Sequence, residues 1–295
     1  VVVTPGLKPG IFFPMLSVID PGDEVIFPDP GYPTYGSVTA LMGARPVPVP
    51  LLAENAFRMN PADVKSRITD KTKLIVINSP HNPTGSVMTA DELADIARLA
   101  EEHDLYIISD EVYSRMTYEG VDHFSVTVHD QARARTVLLD GFSKCYAMTG
   151  WRLGYVVAPV PMARRLQDFL VSAVSCTAAF TQKAGLAALT GDQTFIGDMM
   201  ARFAEKRERI VNGLNRIPGF DCQMPKGAFY AFPSIKGTGM TSQTCAERIL
   251  NDAGVATVPG TAFGPAGEGY LRFSYATSLE IIDQAMEKLR SVFSG

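Results

Sequence analysis

Residues 74–85 read LIVINSPHNPTG, an apolar run that ends abruptly in polar and turn-forming residues. The run from Leu74 to Ile77 is short and mostly β-branched, which is typical of a buried strand. Thr89 followed by Glu92 has the pattern of a capping box and predicts that a helix begins there. A second apolar run, residues 106–108, comes after that helix. The order strand, helix, strand predicts a βαβ unit in a parallel sheet.

The same alternation continues along the chain. Residues 1–4 and 137–139 predict further strands, the first followed by an apolar helix. A long helical pattern from about residue 195 to 216 is followed by shorter predicted elements: strands 220–223 and 229–232, a helix at 242–252, strands 255–258 and 270–274, and a final helix. We therefore expect an α/β fold with a large domain (residues 1–190), whose mostly parallel sheet is covered by helices. A bridging helix and a smaller α+β domain occupy residues 191–295.

Composition excludes several classes of function. The 295 residues are 46% hydrophobic, enough to bury a substantial core. The net charge is −4 and no Lys/Arg-rich run is present, which argues against a nucleic-acid or membrane partner. The four cysteines have neither metal-ligand nor disulfide spacing, so we expect no metal and a reducing, cytoplasmic location. A small polar metabolite is the favoured ligand.

Polar side chains follow three of the predicted strands. Asn82 follows the strand that begins at Leu74, Asp110 and Tyr113 follow residues 106–108, and Lys144 follows residues 137–139. In open parallel sheets, ligands bind outside the carboxyl ends of the strands. We therefore expect these side chains to meet in one cleft.

The residues in that cleft predict a specific chemistry. Lys144 has small and apolar neighbours, and an amine kept from water is a better nucleophile toward a carbonyl, with which it forms an imine. Residues 5–8, PGLK, join a strand to a helix whose free N–H groups suit a phosphate, and the planar fork of Arg152 also matches one. Asp110 is suited to keep a pyridine nitrogen protonated. Together with Tyr113 and Asn82 as hydrogen-bond donors, this set matches pyridoxal 5′-phosphate.

Three segments carry a family resemblance. Residues 81–85 (HNPTG), 110–113 (DEVY) and 143–155 (SKCYAMTGWRLGY) resemble the motifs of the class I/II aminotransferases of pyridoxal-phosphate fold type I, in order and in spacing. Lys144 comes 34 positions after Asp110 and eight before Arg152, as in that family. The resemblance runs essentially from Val1 to the C-terminus.

The resemblance implies a role for each site residue. Lys144 forms the imine and carries the proton between substrate and cofactor, and Asp110 and Tyr113 complete the catalytic set. The resemblance also implies cofactor contacts by Gly6, Leu7, Lys8, Tyr32, Asn82, Ser143 and Arg152, with Tyr32 stacked on the ring. Arg272, assisted by Asn82, binds the substrate α-carboxylate. Gly141 departs from the serine that many relatives carry, which puts one phosphate hydrogen bond in doubt.

These expectations define a cytoplasmic, homodimeric aminotransferase of amino-acid metabolism. It moves an amino group between an L-amino acid and a 2-oxo acid by a ping-pong mechanism, and the donor is of the aspartate type or a broader set with alanine and aromatic amino acids. One alternative is a β-lyase or cyclopropane-forming synthase with the same cofactor. Another is the effector domain of an aminotransferase-like transcription regulator. We also expect a further N-terminal segment, which relatives carry before the position of Val1.

Overall fold

The large sheet contains seven strands in the part of the chain that the computed structural model describes, residues 1–118 and 120–294. Their spatial order is β1-β7-β6-β5-β4-β2-β3. The five strands β2 to β6 run parallel, whereas β7 runs antiparallel to both β6 and β1. The strands are β1 (Val2–Thr4), β2 (Glu24–Asp29), β3 (Arg45–Pro50), β4 (Thr72–Asn78), β5 (Tyr106–Asp110), β6 (Thr136–Gly141) and β7 (Gly154–Val157). The predicted mostly parallel sheet is confirmed.

Central strand β4 explains why its sequence is apolar throughout. Leu74 and Val76 pack into one hydrophobic cluster, and Ile75 and Ile77 pack into another. Because successive side chains of a strand point to opposite faces, both faces of the sheet are covered. A continuous apolar run is what such a strand requires.

Helices cover the large sheet. They are α1 (Lys8–Val18), α2 (Thr34–Leu41), α3 (Pro61–Lys65), α4 (Ala90–Glu102), α5 (Asp130–Arg133) and α6 (Val160–Val174). A further helix, α7 (Ala179–Thr190), follows and is mostly exposed. The predicted capping box at the start of α4 is confirmed, because the Thr89 side chain accepts from the Glu92 backbone N–H and Glu92 accepts from that of Thr89. In the described part of the chain, no helix has the length and apolar character needed to cross a membrane.

The two edges of the sheet differ from the simplest expectation. The strand predicted at residues 1–4 is β1, an edge strand in which Val2 and Thr4 are buried and Val3 is exposed. At the other edge, β3 contains prolines at positions 46, 48 and 50. Proline donates no backbone hydrogen bond, so a strand with this pattern is tolerated at an edge and was not evident from the sequence.

A second sheet lies in the C-terminal part of the chain. Its antiparallel strands β8 (Tyr230–Ala231), β10 (Leu271–Ser274) and β9 (Val258–Pro259) lie in that spatial order. Helices α8 (Thr194–Leu214), α9 (Ser242–Arg248) and α10 (Leu279–Phe293) accompany it, and α9 continues as a π-helical turn, Ile249–Ala253. The predicted helices and the strand near residues 270–274 are confirmed.

Two strand predictions in this region are wrong. Residues 220–223 form only an isolated bridge, Asp221 with Ser234. The side-chain amide of Asn215 bonds both the N–H and the carbonyl of Cys222, so this backbone is satisfied without a ladder. Residues 255–257 close the preceding helix, where the Val255 N–H donates to the Ile249 carbonyl, and only Val258 joins a strand.

Candidate active site

A cavity of about 250 Å³ lies at the carboxyl ends of β4, β5 and β6, with the small sheet on its other side. Its walls bring together every predicted site residue except Gly6. These are Leu7, Lys8, Tyr32, Asn82, Asp110, Tyr113, Ser143, Lys144, Arg152 and Arg272. The segments that follow four predicted strands therefore meet at one cavity, as expected for a ligand site at the carboxyl ends of parallel strands.

Asp110 is the last residue of β5, and its carboxylate is buried. Oδ2 accepts a 2.8 Å hydrogen bond from the Tyr35 hydroxyl, and Oδ1 accepts one of 3.3 Å from the Val112 N–H. Burial raises the pKa of Asp110 to about 6, although these hydrogen bonds act in the opposite direction. Among the described residues Asp110 forms no salt bridge. A cationic group on a ligand would therefore favour the ionised form of this carboxyl group.

Lys144 lies just beyond β6. Its Nζ is 5.4 Å from the ring centroid of Phe229 and 5.7 Å from that of Tyr113. Burial lowers the pKa of the Lys144 amine, and the nearby charge of Arg272 lowers it further, while Asp110 opposes the shift. A larger fraction of the amine is therefore neutral near pH 7 than in an exposed lysine, and the neutral amine is the nucleophilic form.

Asn78, at the end of β4, joins the strand ends together. Its Nδ2 donates to the backbone carbonyl of Asp110 at 3.0 Å, and its Oδ1 accepts from the Asn82 N–H at 3.0 Å. The Asn82 side chain in turn accepts a 3.0 Å hydrogen bond from Nη1 of Arg272. One amide thus fixes the positions of two predicted site residues relative to each other.

The end of the cavity near α1 contains the predicted phosphate residues. Gly6 has a φ of +77°, and a Cβ at this position would overlap the Arg152 guanidinium. Nη1 of Arg152 donates to the Thr149 carbonyl at 3.0 Å, and the Thr149 hydroxyl donates to the Ser143 carbonyl at 2.7 Å. Gly6 therefore contacts the arginine directly even though it does not line the cavity.

Gly141 has a steric explanation. A Cβ there would come within 2.9 Å of the Gly154 Cα and 3.0 Å of the Leu153 carbonyl oxygen. Cβ atoms rarely approach other atoms that closely, so a serine here would require β6 and β7 to shift apart. The glycine at this position therefore permits the close approach of the two strands.

Arg272 reaches the cavity from β10 of the small sheet. Its Cζ lies 4.6 Å from the Tyr230 ring centroid and 4.8 Å from that of Phe263. Within the described chain, its buried Nε has no hydrogen-bond partner, while Nη1 donates to Asn82. A guanidinium held between two rings and only partly hydrogen-bonded is prepared to bind a carboxylate.

Sequence reasoning missed six residues of the cavity wall, namely Ile11, Tyr35, Asn78, Val112, Thr149 and Tyr230. Asn78 ends a predicted strand, so the rule that selected Asn82 would have found it. Tyr35 lies three positions after Tyr32 in the segment GYPTY, but nothing in the sequence links it to Asp110. Tyr230 belongs to the other sheet, and no local pattern assigns it to this cavity.

Comparison with known proteins identifies the family. The family "Aminotransferase class I and II" matches residues 1–289. The aspartate aminotransferase of Pyrococcus abyssi is 41% identical over 294 residues, covering 99% of this chain and 75% of that protein. Aromatic-amino-acid aminotransferase 2 of Thermococcus litoralis is 38% identical over 294 residues, with the same coverage of each.

A solved structure agrees with these sequence matches. The aromatic aminotransferase from Pyrococcus horikoshii OT3 superposes with a TM-score of 0.96 at 40% identity, covering 99% of this chain and 79% of that one. These relatives do not favour the lyase, synthase or regulator alternatives. The chain belongs to the class I and II aminotransferases, enzymes that transfer amino groups with pyridoxal 5′-phosphate.

Proposed function

We propose that this aminotransferase takes its amino group from an L-amino acid of the aspartate type, or from a broader set with alanine and aromatic amino acids. The acceptor is a 2-oxo acid, and the two half-reactions follow a ping-pong order. The names of the relatives support the two donor classes. The observation that carries the proposal is that the Lys144 amine, the buried Asp110 carboxylate and the Arg272 guanidinium line one cavity.

The residues of the cavity fit pyridoxal phosphate. A buried carboxylate without a salt bridge in the described chain suits a protonated ring nitrogen, and a partly neutral lysine suits an aldehyde. When bound, the cofactor supplies an electron sink for the charge left on the substrate α-carbon after loss of its proton. We propose that Asp110 pairs with the ring nitrogen, and that Tyr113 and Asn82 donate to the phenolic oxygen.

The phosphate end supports a second set of assignments. Arg152, the Ser143 side chain and the backbone N–H groups of residues 6–8 would hold the phosphate, since α1 begins at Lys8 and its first N–H groups have no helical partner. Tyr32 forms a wall of the cavity. From there its ring would stack on that of the cofactor. The close contact between Gly6 and Arg152 keeps the guanidinium at this end.

Lys144 moves the proton. With the pKa of its amine lowered, Nζ would accept the proton from the substrate α-carbon and hold it within the cavity for return. Arg272 holds the substrate α-carboxylate and so orients the bond that breaks. The aromatic rings of Tyr113 and Phe229 beside Nζ limit its access to water.

We also propose that the protein is a homodimer in the cytoplasm. Helix α7 exposes large apolar side chains, with Phe180 at 73%, Leu186 at 55% and Leu189 at 52% of their full accessibility. Val171 and Val174 of the preceding helix α6 are also exposed. Large apolar side chains left exposed on two consecutive helices favour contact with a second copy. The four cysteines are free thiols, as a reducing compartment would keep them.

Two domains are the simplest division of this structure. We propose a large domain of residues 1–190 and a small domain of residues 191–295, of which Gly295 lies outside the described residues. Two separate sheets support the division. Phe232 and Tyr270 pack into a core cluster of the large domain, however, so the two units are joined by a shared apolar contact.

An absorbance titration tests the function. The purified protein is titrated with pyridoxal phosphate across pH, and L-aspartate, L-alanine and L-phenylalanine are then added separately without an oxo acid. We expect a cofactor band that at least one donor converts to the pyridoxamine form, with release of the matching 2-oxo acid. Lys144→Ala should lose both the pH-dependent band and the conversion. A wild-type band that no donor converts, or release of ammonia with the oxo acid, would contradict the proposal.

A further inference from the structure

Tyr230 connects the two halves of the cavity. It lies in β8 of the small sheet, it is 5% exposed, and it lines the same cavity as Asp110. Its hydroxyl and its ring contact different site residues. The hydroxyl contacts the predicted cofactor residue Tyr113, and the ring contacts the predicted substrate residue Arg272.

The hydroxyl contact constrains the Tyr113 proton. The two phenol oxygens are 2.8 Å apart, and the rings pack edge to face with centroids 5.9 Å apart. Burial raises the pKa of both phenols, so both stay protonated near pH 7. Two protons and one shared hydrogen bond leave one proton free to point elsewhere.

The ring contact favours one of two possible arrangements, because either hydroxyl of the pair could be the donor. The positive charge of Arg272 works against the rise in the pKa of both phenols, but the guanidinium stacks on the Tyr230 ring itself, at 4.6 Å. This contact favours Tyr230 as the donor of the pair. In that arrangement the Tyr113 proton is left to point into the cavity.

The same ring also fixes the position of Arg272. Phe263 lies on the guanidinium at 4.8 Å, so the charged group is held by two aromatic rings. Loss of the Tyr230 ring would release the guanidinium from one of them. The carboxylate-binding edge would then have to be ordered at the moment of binding, which costs affinity.

We propose that Tyr230 is a positioning residue with two separable parts: its hydroxyl directs the Tyr113 proton toward the cofactor's phenolic oxygen, and its ring holds Arg272 for the substrate carboxylate. The proposal rests on the proposed function. It adds a residue from the small sheet that links cofactor electronics to carboxylate binding.

The hydroxyl is tested with Tyr230→Phe in protein loaded with pyridoxal phosphate. A hydrogen bond donated to the phenolic oxygen stabilises the deprotonated form of the band, so its weakening should raise the pH midpoint of the absorbance band by about 0.5 to 1 unit. The affinity for 2-methyl-L-aspartate and 2-methyl-L-phenylalanine, which lack an α-proton, should stay within about twofold because the ring remains.

The ring is tested with Tyr230→Leu, which should raise the midpoint equally and weaken binding of those 2-methyl amino acids about 5- to 20-fold. Tyr275→Phe is the matched control. It removes the 2.9 Å hydrogen bond between two other buried phenols, Tyr275 and Tyr118, neither of which lines the cavity. It should change neither the midpoint nor the affinity.

The outcomes separate this inference from the proposed function. A wild-type protein that forms no band overturns both. A wild-type protein that forms and converts the band, while Tyr230→Phe leaves the midpoint unchanged or lowers it, overturns the inference alone. Equal losses of affinity in the Phe and Leu variants would overturn the separate role of the ring.

Discussion

The Tyr35 hydroxyl donates a 2.8 Å hydrogen bond to Oδ2 of Asp110 across 75 positions of sequence. Tyr35 is fully buried, and burial together with the charge of Asp110 raises the pKa of its phenol well above the ordinary value. The phenol therefore stays protonated near neutral pH and donates this hydrogen bond. It favours the ionised form of a carboxyl group whose burial favours the neutral form.

Removal of that hydroxyl should shift the pH dependence of cofactor binding. Tyr35→Phe takes away a contact that lowers the pKa of Asp110, so this pKa should rise above about 6. The ionised fraction near neutral pH then falls, and the acidic limb of pyridoxal phosphate affinity should move to higher pH by about 0.5 to 1 unit. The affinity is measured by absorbance between pH 5 and pH 8.

Tyr155→Phe is the matched control for that shift. Its hydroxyl donates at 3.0 Å to Asp140, a partly buried carboxyl whose pKa is also raised to about 6 but which does not line the cavity. The acidic limb of the pyridoxal phosphate affinity should not move in this variant. Equal shifts in both variants would mean that Tyr35 acts only on general stability.

Arg272→Lys should impair substrate binding. A lysine keeps the charge but loses the planar fork and the stacking on two rings. We expect kcat/KM for the best donor to fall about 100-fold or more, mainly through KM. Arg209→Lys serves as control, because Arg209 contacts Asp283 on the exposed side of the small sheet's helices. A similar loss there would contradict a specific role for Arg272.

Gly6→Ala should weaken cofactor binding beyond its effect on folding. The φ of +77° strains any side chain by about 1 kcal/mol, and the new Cβ would also displace the Arg152 guanidinium. The Kd for pyridoxal phosphate should rise at least about tenfold. Gly239→Ala has the same strain, with a φ of +70° and nothing within 4 Å of the new Cβ, so it should lower Tm similarly and leave Kd unchanged.

His81 should make the cofactor-free protein sensitive to acid. Burial lowers the pKa of this imidazole to about 3 in the folded protein, whereas the ordinary value is 6.5. Below pH 6.5 the proton therefore binds the unfolded chain first, and the free energy of unfolding falls as pH falls from 6.5 toward 3. Between pH 7 and pH 4 this amounts to about 3 kcal/mol. Asp110 acts with the opposite sign, since its raised pKa adds stability as pH falls.

Comparison of variants isolates the histidine contribution. The free energy of unfolding in urea should fall less between pH 7 and pH 4 in His81→Asn than in the wild type. His103→Asn, at an exposed position, should follow the wild type. If His81→Asn has the wild-type pH dependence, the imidazole is not the acid-sensitive group.

Phe180→Glu should disrupt the proposed dimer. A charge placed on the exposed apolar surface of α7 would have to be desolvated on association, which raises the dimer Kd at least about tenfold. Sedimentation velocity on the cofactor-loaded protein measures the change. Leu41→Glu, at a residue that is 72% exposed on α2, should sediment as the wild type does. A wild-type protein with the mass of one chain would contradict the dimer.

Much of the large sheet was predictable because its signals are local. The apolar run at residues 74–77 and the capping box at Thr89 need only their neighbours in sequence, and both were confirmed. The prediction of a strand at residues 220–223 was wrong because the amide of Asn215 satisfies the backbone hydrogen-bonding groups of Cys222. Strand β3 was not predicted because its prolines are acceptable only at a sheet edge, and the position of a strand at an edge is decided by the assembled sheet.

The sequence by itself determined the fold class and the family, and it predicts which residues carry the chemistry, because Lys144, Asp110 and Arg152 stand at fixed spacings within local motifs at strand ends. Only the tertiary structure decided how their charges are set. The Tyr35 bond to Asp110, the stacking of Tyr230 on Arg272 and the burial of Lys144 join segments that are distant in sequence or belong to different sheets. Burial and hydrogen bonding depend on what surrounds a side chain in space, and no local pattern records those surroundings.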